Sequence, residues 1–341
     1  DLRQALEGNL CRCTGYVSIK NAAEYLREAR LTERLAGKIR PAFLDEVESK
    51  LSACSVRSVS VEKDGKSFHA PRTFDELNAL LKRIPHYRLL NGGTDVVVAM
   101  KKHHVPMQHL IDLSRLEGMK EIAIEPEQIR IGGGATLARI KEATEEVLPA
   151  LAAALGQMAS HQVRTLATLA GNLGNASPIA DTAPLLLAAD ATLVLQGETT
   201  REVPLSAFYE GYKQTNLQPG EWIREIKIPR KGFLHFEKVS KRRAVDIATV
   251  NGAIGLSLDG KKVKDARVAF GGVAATPVLA PRAAQALIGK ELSVETAQEA
   301  ARVALEDLAP LTDVRGSKEY RRALIEGILT KHVLAALSWE G

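Results

Sequence analysis

Hydrophobic positions recur at helical spacing from Ser18, where Ile19, Ala22, Ala23 and Leu26 share one face with charges between them, and Gly37 supplies a stop. Residues 38–66 show no sustained period and alternate charged with small residues, as a linker does. Thr73 and Glu76 then form a capping box for a helix that carries Leu77, Leu80, Leu81 and Ile84 on one side and ends at Pro85. Arg88 to Leu90 is a strand feeding a Gly92-Gly93 turn, with the apolar run Val96 to Met100 expected to continue as β beyond it. Further short strands are expected at 109–113, 122–124, 128–131, 191–195, 202–205 and 221–229, with a helix from Thr136 and an Ala-rich one over 151–158. Strands at 234–239, 248–258 and 263–270, the second and third joined by an Asp259-Gly260 turn, precede helices at 281–288, 293–308 and 317–338. Short strands mixed with helices, without regular βαβ alternation, give an α+β class. The divisions expected are a helical piece over 1–36, a linker over 37–62, and α+β units over 63–232 and 233–341.

Composition changes this picture little. A chain of 341 residues fits two or three domains, and 45% hydrophobic with 26% charged residues is the balance of a soluble globular protein. The net charge of +5 is spread among acidic residues, and aromatics make up only 4%, so no stacking platform for nucleic acid is expected. No apolar run reaches membrane-span length and no signal peptide opens the sequence, so no membrane partner is expected and the cytoplasm is the default. Three cysteines make no disulfide framework, in keeping with a reducing compartment.

Candidate chemistry gathers in Arg164 to Ala189, where Gly171, Asn172, Gly174, Asn175, Ser177, Pro178 and Asp181 read as a short irregular segment before an apolar run from Leu185. Glycines let a ligand approach the backbone, and converging N–H donors suit a phosphate or a flat heteroaromatic ring; an ordinary surface turn is the competing reading. Asp181 can cap a helix with Pro184 in its first turn. A second turn of the same character, Leu89-Leu90-Asn91-Gly92-Gly93-Thr94-Asp95-Val96, adds a hydroxyl and a carboxylate to paired glycines. The run Gly132-Gly133-Gly134 is not a dinucleotide fingerprint, because Leu137 stands where the third glycine belongs; ligand contact and plain turn both remain open. His161, like His103-His104, has no second ligand at metal spacing. Cys11-Arg12-Cys13 admits two readings, small buried residues or half of an iron–sulfur ligand set.

Taken together and in this order, Gly8-Asn9-Leu10-Cys11-Arg12-Cys13-Thr14-Gly15-Tyr16, Gly92-Gly93-Thr94-Asp95, Ala170-Gly171-Asn172 with Ser177-Pro178 and Asp181, and Lys238 with Asp246 resemble the flavin-binding subunits of the molybdenum hydroxylases, the xanthine dehydrogenase family. The resemblance covers nearly the whole chain. It implies FAD held along its pyrophosphate and ribityl chain by Leu89, Leu90, Asn91, Gly92, Gly93, Thr94, Asp95 and Val96. Thr168, Gly171 and Asn172 would hold the other side, with Asp181, Ile223 and Lys238 as further contacts. Met158 stands where an aromatic residue can pack near the ring, and Ala170 replaces a common glycine. The resemblance also implies that Cys11 and Cys13 ligate a [2Fe-2S] cluster whose other cysteine pair lies upstream, which makes residues 1–36 the tail of an iron–sulfur domain and Cys54 incidental. Molybdopterin would sit on a large partner subunit of a hetero-oligomer, with electrons passing through [2Fe-2S] clusters to FAD and on to NAD. A stand-alone flavin oxidase or reductase, or a docking subunit without flavin, are the alternatives; no catalytic residue is assigned in this chain.

Overall fold

The computed structural model describes residues 6, 8, 16–29, 43–53, 57–242 and 245–339. Two helices come first: α1 (Val17–Glu28), which buries none of its residues, and α2 (Phe43–Ala53). In the first lobe β1 (Val59–Lys63), β2 (Lys66–Ala70), β3 (Arg88–Leu90) and β4 (His109–Asp112) form a four-stranded sheet in the order β1-β2-β4-β3, interleaved with α3 (Phe74–Arg83) and α4 (Thr94–Lys102). The β1–β2 pair is antiparallel, and β4 runs parallel to both β2 and β3.

The second lobe contains β5 (Ile122–Ile124) and β6 (Gln128–Gly132), then five helices: α5 (Leu137–Thr144), α6 (Pro149–Gln157), α7 (His161–Arg164), α8 (Leu169–Gly174) and α9 (Thr182–Ala188). Strands β7 (Thr192–Gln196), β8 (Thr200–Pro204), β9 (Tyr209–Gly211), β10 (Gln214–Thr215) and β11 (Trp222–Pro229) complete it. An antiparallel five-stranded sheet in the order β5-β6-β11-β7-β8 puts β11 at its centre. Position explains why that strand buries Trp222, Ile223, Ile226 and Ile228.

The third lobe is the antiparallel sheet of β12 (Phe233–Val239), β13 (Val250–Asp259), β14 (Lys262–Gly271) and β15 (Val278–Leu279), backed by α10 (Pro281–Leu287), α11 (Val294–Ala304) and α12 (Lys318–Leu337). Its two faces serve different cores, as the two-residue period of a strand requires. Cross-strand row Phe236–Ala253–Ala269 packs into the core of the second lobe, whereas Phe233, Ile254 and Val268 pack beneath the three C-terminal helices. This sheet is therefore a shared wall. Among the described residues no helix is long and apolar enough to cross a membrane.

The α+β class and most elements agree with the sequence reading, including the Thr73–Glu76 capping box with both reciprocal bonds. Three expectations are corrected. Val96 to Met100 is not a strand but lies in α4, whose first turn is set by Gly93 in the left-handed region; that tertiary setting overrides the β preference of three consecutive valines. The region 38–66 is not irregular throughout, since Phe43, Val47 and Leu51 recur at i, i+4 in α2 and β1–β2 form a hairpin. The segment after Thr168 is not a continuous irregular loop, because the Thr168 hydroxyl accepts from Gly171 N and starts the short helix α8.

On the helix-facing side of β12, His235 Nδ1 lies 2.8 Å from Nδ1 of the fully buried His332, so one ring donates and the other accepts. Burial pushes both imidazoles below their ordinary value; Glu237 beside His235 works against this and Lys331 with it. The unfolded chain takes up these protons near pH 6.5. Stability from this contact is thus complete above that value and is lost as pH falls toward the depressed folded values. Thermal melts between about pH 7.5 and 5 should show Tm falling by a few degrees, with a shallower slope in His332→Leu; parallel slopes would refute the assignment.

Candidate functional site

Strand β3 delivers the chain into Asn91-Gly92-Gly93, where both glycines have positive φ, 77° and 71°. At Gly92 the requirement is steric as well, because a Cβ there would collide with the Leu166 carbonyl oxygen. Two turns from different lobes thus pack backbone against backbone. Gly93 caps α4, and helix geometry leaves the N–H groups of Thr94, Asp95 and Val96 without intrahelical acceptors. No other described residue accepts from them. Asn91 spans to the third glycine run, donating from Nδ2 to Gly133 O at 2.7 Å, while its buried Oδ1 has no partner.

The loop between α7 and α8 forms the facing wall. Thr168 Oγ1 stands 3.4 Å from Asn91 O and accepts from Gly171 N at 3.1 Å, and a Cβ on Gly171 would come within 3.2 Å of Asn91 O. Gly133 N donates to Arg224 O at 2.8 Å, and a Cβ at Gly133 would collide with Ile223 O, so β11 is drawn into the same cluster. Arg164 is buried and donates to both Met158 O (2.9 Å) and Ala159 O (2.8 Å), clamping the bend where Ala159 takes φ 54°. Asn172 Oδ1 accepts from Thr182 Oγ1 at 2.6 Å and ties α8 to α9.

Asp181, at the start of α9, closes the arrangement against the third lobe. Its Oδ2 accepts from Lys238 Nζ at 2.6 Å, with side-chain exposures of 10% and 3%, so the pair is out of water. Lys238 also donates to Gln157 O at 3.2 Å, next to Met158. Asn251 Nδ2 donates to Asp181 Oδ1 at 2.9 Å and to Ala180 O at 3.2 Å. Burial pushes the Asp181 carboxyl above its ordinary value, and the Lys238 charge and both hydrogen bonds pull it back. Expected to cap α9, Asp181 makes no side-chain cap bond, because both oxygens are turned to the third lobe.

Of the sequence-derived candidates, Leu90 to Val96, Thr168, Gly171 and Ile223 lie at the packed turns, with Leu89 in the strand leading to them. Asn172 ties α8 to α9, Met158 follows the Gln157 carbonyl that accepts from Lys238, and Asp181 pairs with Lys238 across the junction of the second and third lobes. Asn251, the Gln157 carbonyl and the clamping Arg164 were missed; a polar Asn251 inside the apolar run Val250 to Leu256 was the available signal for the first. Asp246 accepts from Arg242 N and Ile247 N. Cys11, Cys13 and Cys54 lie outside the described residues, among which no cluster of three metal-ligating side chains occurs.

The first and second lobes thus meet at glycine turns, and a buried ion pair ties the second to the third. Residues 61–231 match the FAD binding domain in molybdopterin dehydrogenase, and residues 235–336 the CO dehydrogenase flavoprotein C-terminal domain. The chain belongs to this family, the FAD-binding subunits of xanthine dehydrogenase and CO dehydrogenase-type molybdenum hydroxylases. The xanthine dehydrogenase FAD-binding subunit of Escherichia coli O157:H7 is 32% identical over 82% of this chain and 98% of its own length. The carbon monoxide dehydrogenase medium chain of Hydrogenophaga pseudoflava is 31% identical over 79% of this chain and 96% of its own. A solved carbon monoxide dehydrogenase from Hydrogenophaga pseudoflava that lacks the Mo-pyranopterin moiety superposes with a TM-score of 0.76 at 30% identity, covering 81% of this chain and 98% of the solved one.

Removing one member of the buried pair leaves the other charged without a partner, worth about 3–5 kcal/mol. Asp181→Ala should therefore melt well below wild type, with Asp181→Asn intermediate. Equal melting of all three would show that the pair does not carry this junction.

Proposed function

We propose that this chain binds FAD between the glycine turns and the Asp181–Lys238 pair and serves as the electron-transfer flavoprotein subunit of a molybdenum hydroxylase. The observation that carries the reading is the meeting of the turn at 91–96 with the segment 166–172, where N–H groups at the start of α4 and the orphaned Asn91 Oδ1 await partners. These groups fit the cofactor: N–H donors and a helix N-terminus suit its pyrophosphate, and glycines allow close approach. Leu89 to Val96 would hold the pyrophosphate and ribityl chain, Thr168, Gly171 and Asn172 the opposite side, and Asp181, Ile223 and Lys238 the remainder, with Met158 near the ring. When bound, FAD supplies redox chemistry that amino-acid side chains lack. The residues of this chain bind it, orient it and exclude water, and the buried ammonium of Lys238 keeps positive charge at the junction of the lobes.

The finer reading follows the family. Cys11 and Cys13 would ligate a [2Fe-2S] cluster together with two further thiolates, a large partner subunit would hold molybdopterin and choose the substrate, and NAD would accept the electrons in the cytoplasm. Relatives named as xanthine dehydrogenase subunits support a purine substrate for the assembly, and those named as carbon monoxide dehydrogenase chains support the division into subunits.

Two measurements test this. Gly93→Val, which puts a branched side chain at a left-handed cap, should lower FAD occupancy of the purified chain about tenfold or more while wild type binds one FAD; full occupancy of the variant would move the site elsewhere. The FAD-loaded chain should reduce an artificial dye with NADH and leave xanthine untouched until the molybdenum subunit and clusters are supplied. Flavin absorbance bleached by dithionite but unchanged by NADH would remove NAD from the account.

A further inference from the structure

Asn251, which also bonds Asp181, sits directly beside Lys238. In the antiparallel register Lys238 is opposite Asn251, and Asn251 is opposite Gly271, so the three form one row across β12, β13 and β14. This row lies two residues along from Phe236–Ala253–Ala269 on the same face, the face turned to the second lobe. Lys238 and Asn251 thus reach the same carboxylate from neighbouring strands, one at each oxygen. The orientation of the Asn251 amide follows from its surroundings: the nitrogen faces two acceptors, Asp181 Oδ1 and Ala180 O, and its buried oxygen is left without a donor. Gly271 makes room for that oxygen, since a Cβ there would collide with it. Next to it, Gly272 at φ 80° donates from N to Pro178 O at 2.9 Å, so the ends of β13 and β14 grip residues 178–181 at several points.

We infer that Asn251 is a positioning residue for flavin binding, holding the Asp181 carboxylate toward Lys238 so that the third lobe is docked on the start of α9. This rests on reading the Asp181 region as the flavin site. An amide suits the task because it donates at every accessible pH, whereas a carboxyl at position 251 would donate only when protonated. Lys238 is the charged group acting on Asp181, so a second carboxylate would face one ammonium, and the two acids would share a proton.

The experiment is FAD titration by fluorescence of the chain in its natural assembly, at about pH 8 and about pH 6, with thermal melts of the same samples without flavin. Asn251→Leu should weaken FAD about tenfold at both pH values, since a charge-assisted hydrogen bond is lost. Asn251→Asp, nearly identical in shape, should bind as weakly at pH 8 and regain most of its affinity and melting temperature at pH 6, where the shared proton restores the donor. Wild-type affinity in Asn251→Leu, or an Asn251→Asp variant with no recovery at low pH, would overturn the inference. Should wild type itself bind no FAD, the functional reading fails; the flavin-free melts still decide whether Asn251 orients Asp181, because only a donor role makes the Asn251→Asp melting temperature rise with acid.

Discussion

An ammonium and a carboxylate 2.6 Å apart, both shielded from water, hold the third lobe to the second at the start of α9. Stripping water from two charges is expensive, and their attraction offsets that only if the geometry is good and the remaining valences are filled. Here the filling is visible: Asn251 occupies the second oxygen of Asp181 and the Gln157 carbonyl takes another Lys238 hydrogen. Such a pair fixes geometry more than it adds stability. What it fixes is the relation of β12 to the bend at 157–159 and to the start of α9.

The rest of the architecture makes this junction possible. The third sheet has two apolar faces, and burying one under α10, α11 and α12 leaves the other free to join the core of the second lobe. A row of small and aromatic residues, Phe236–Ala253–Ala269, brings the lobes into close contact, and the next row along carries Lys238, Asn251 and Gly271. On the opposite side, Gly92 against Leu166 and Gly133 against Ile223 bring backbones together where any side chain would separate them. Polar grip at one lobe junction and glycine contact at the other are therefore two ways of bringing lobes together.

Local signals carried far in the sequence. The Thr73–Glu76 box, the glycine pair at 92–93 and the strand β11 needed only neighbours for their meaning, although a register shift after Ile223 leaves adjacent Trp222 and Ile223 both buried. The helix at 94–102 was illegible because its valines favour a strand and only the left-handed Gly93 ahead of it turns the chain. Pairing Asp181 with Lys238 spans 57 positions, which no periodicity reports; the family resemblance named each as a flavin contact but did not pair them. Asn251 was overlooked for the same reason: its importance lies in the cross-strand register with Lys238 and Gly271, which exists only once the sheet is formed.

A double-mutant cycle across Asp181 and Lys238 tests the central claim most directly. FAD affinity would be measured by titration for wild type, Asp181→Ala, Lys238→Met and the double variant. The account requires strong coupling, with the double variant weakened far less than the sum of the single losses, by a difference of about 1 kcal/mol or more, since each single change strands a buried charge that the double change removes. Additive losses, or single variants that bind FAD like wild type, would contradict it.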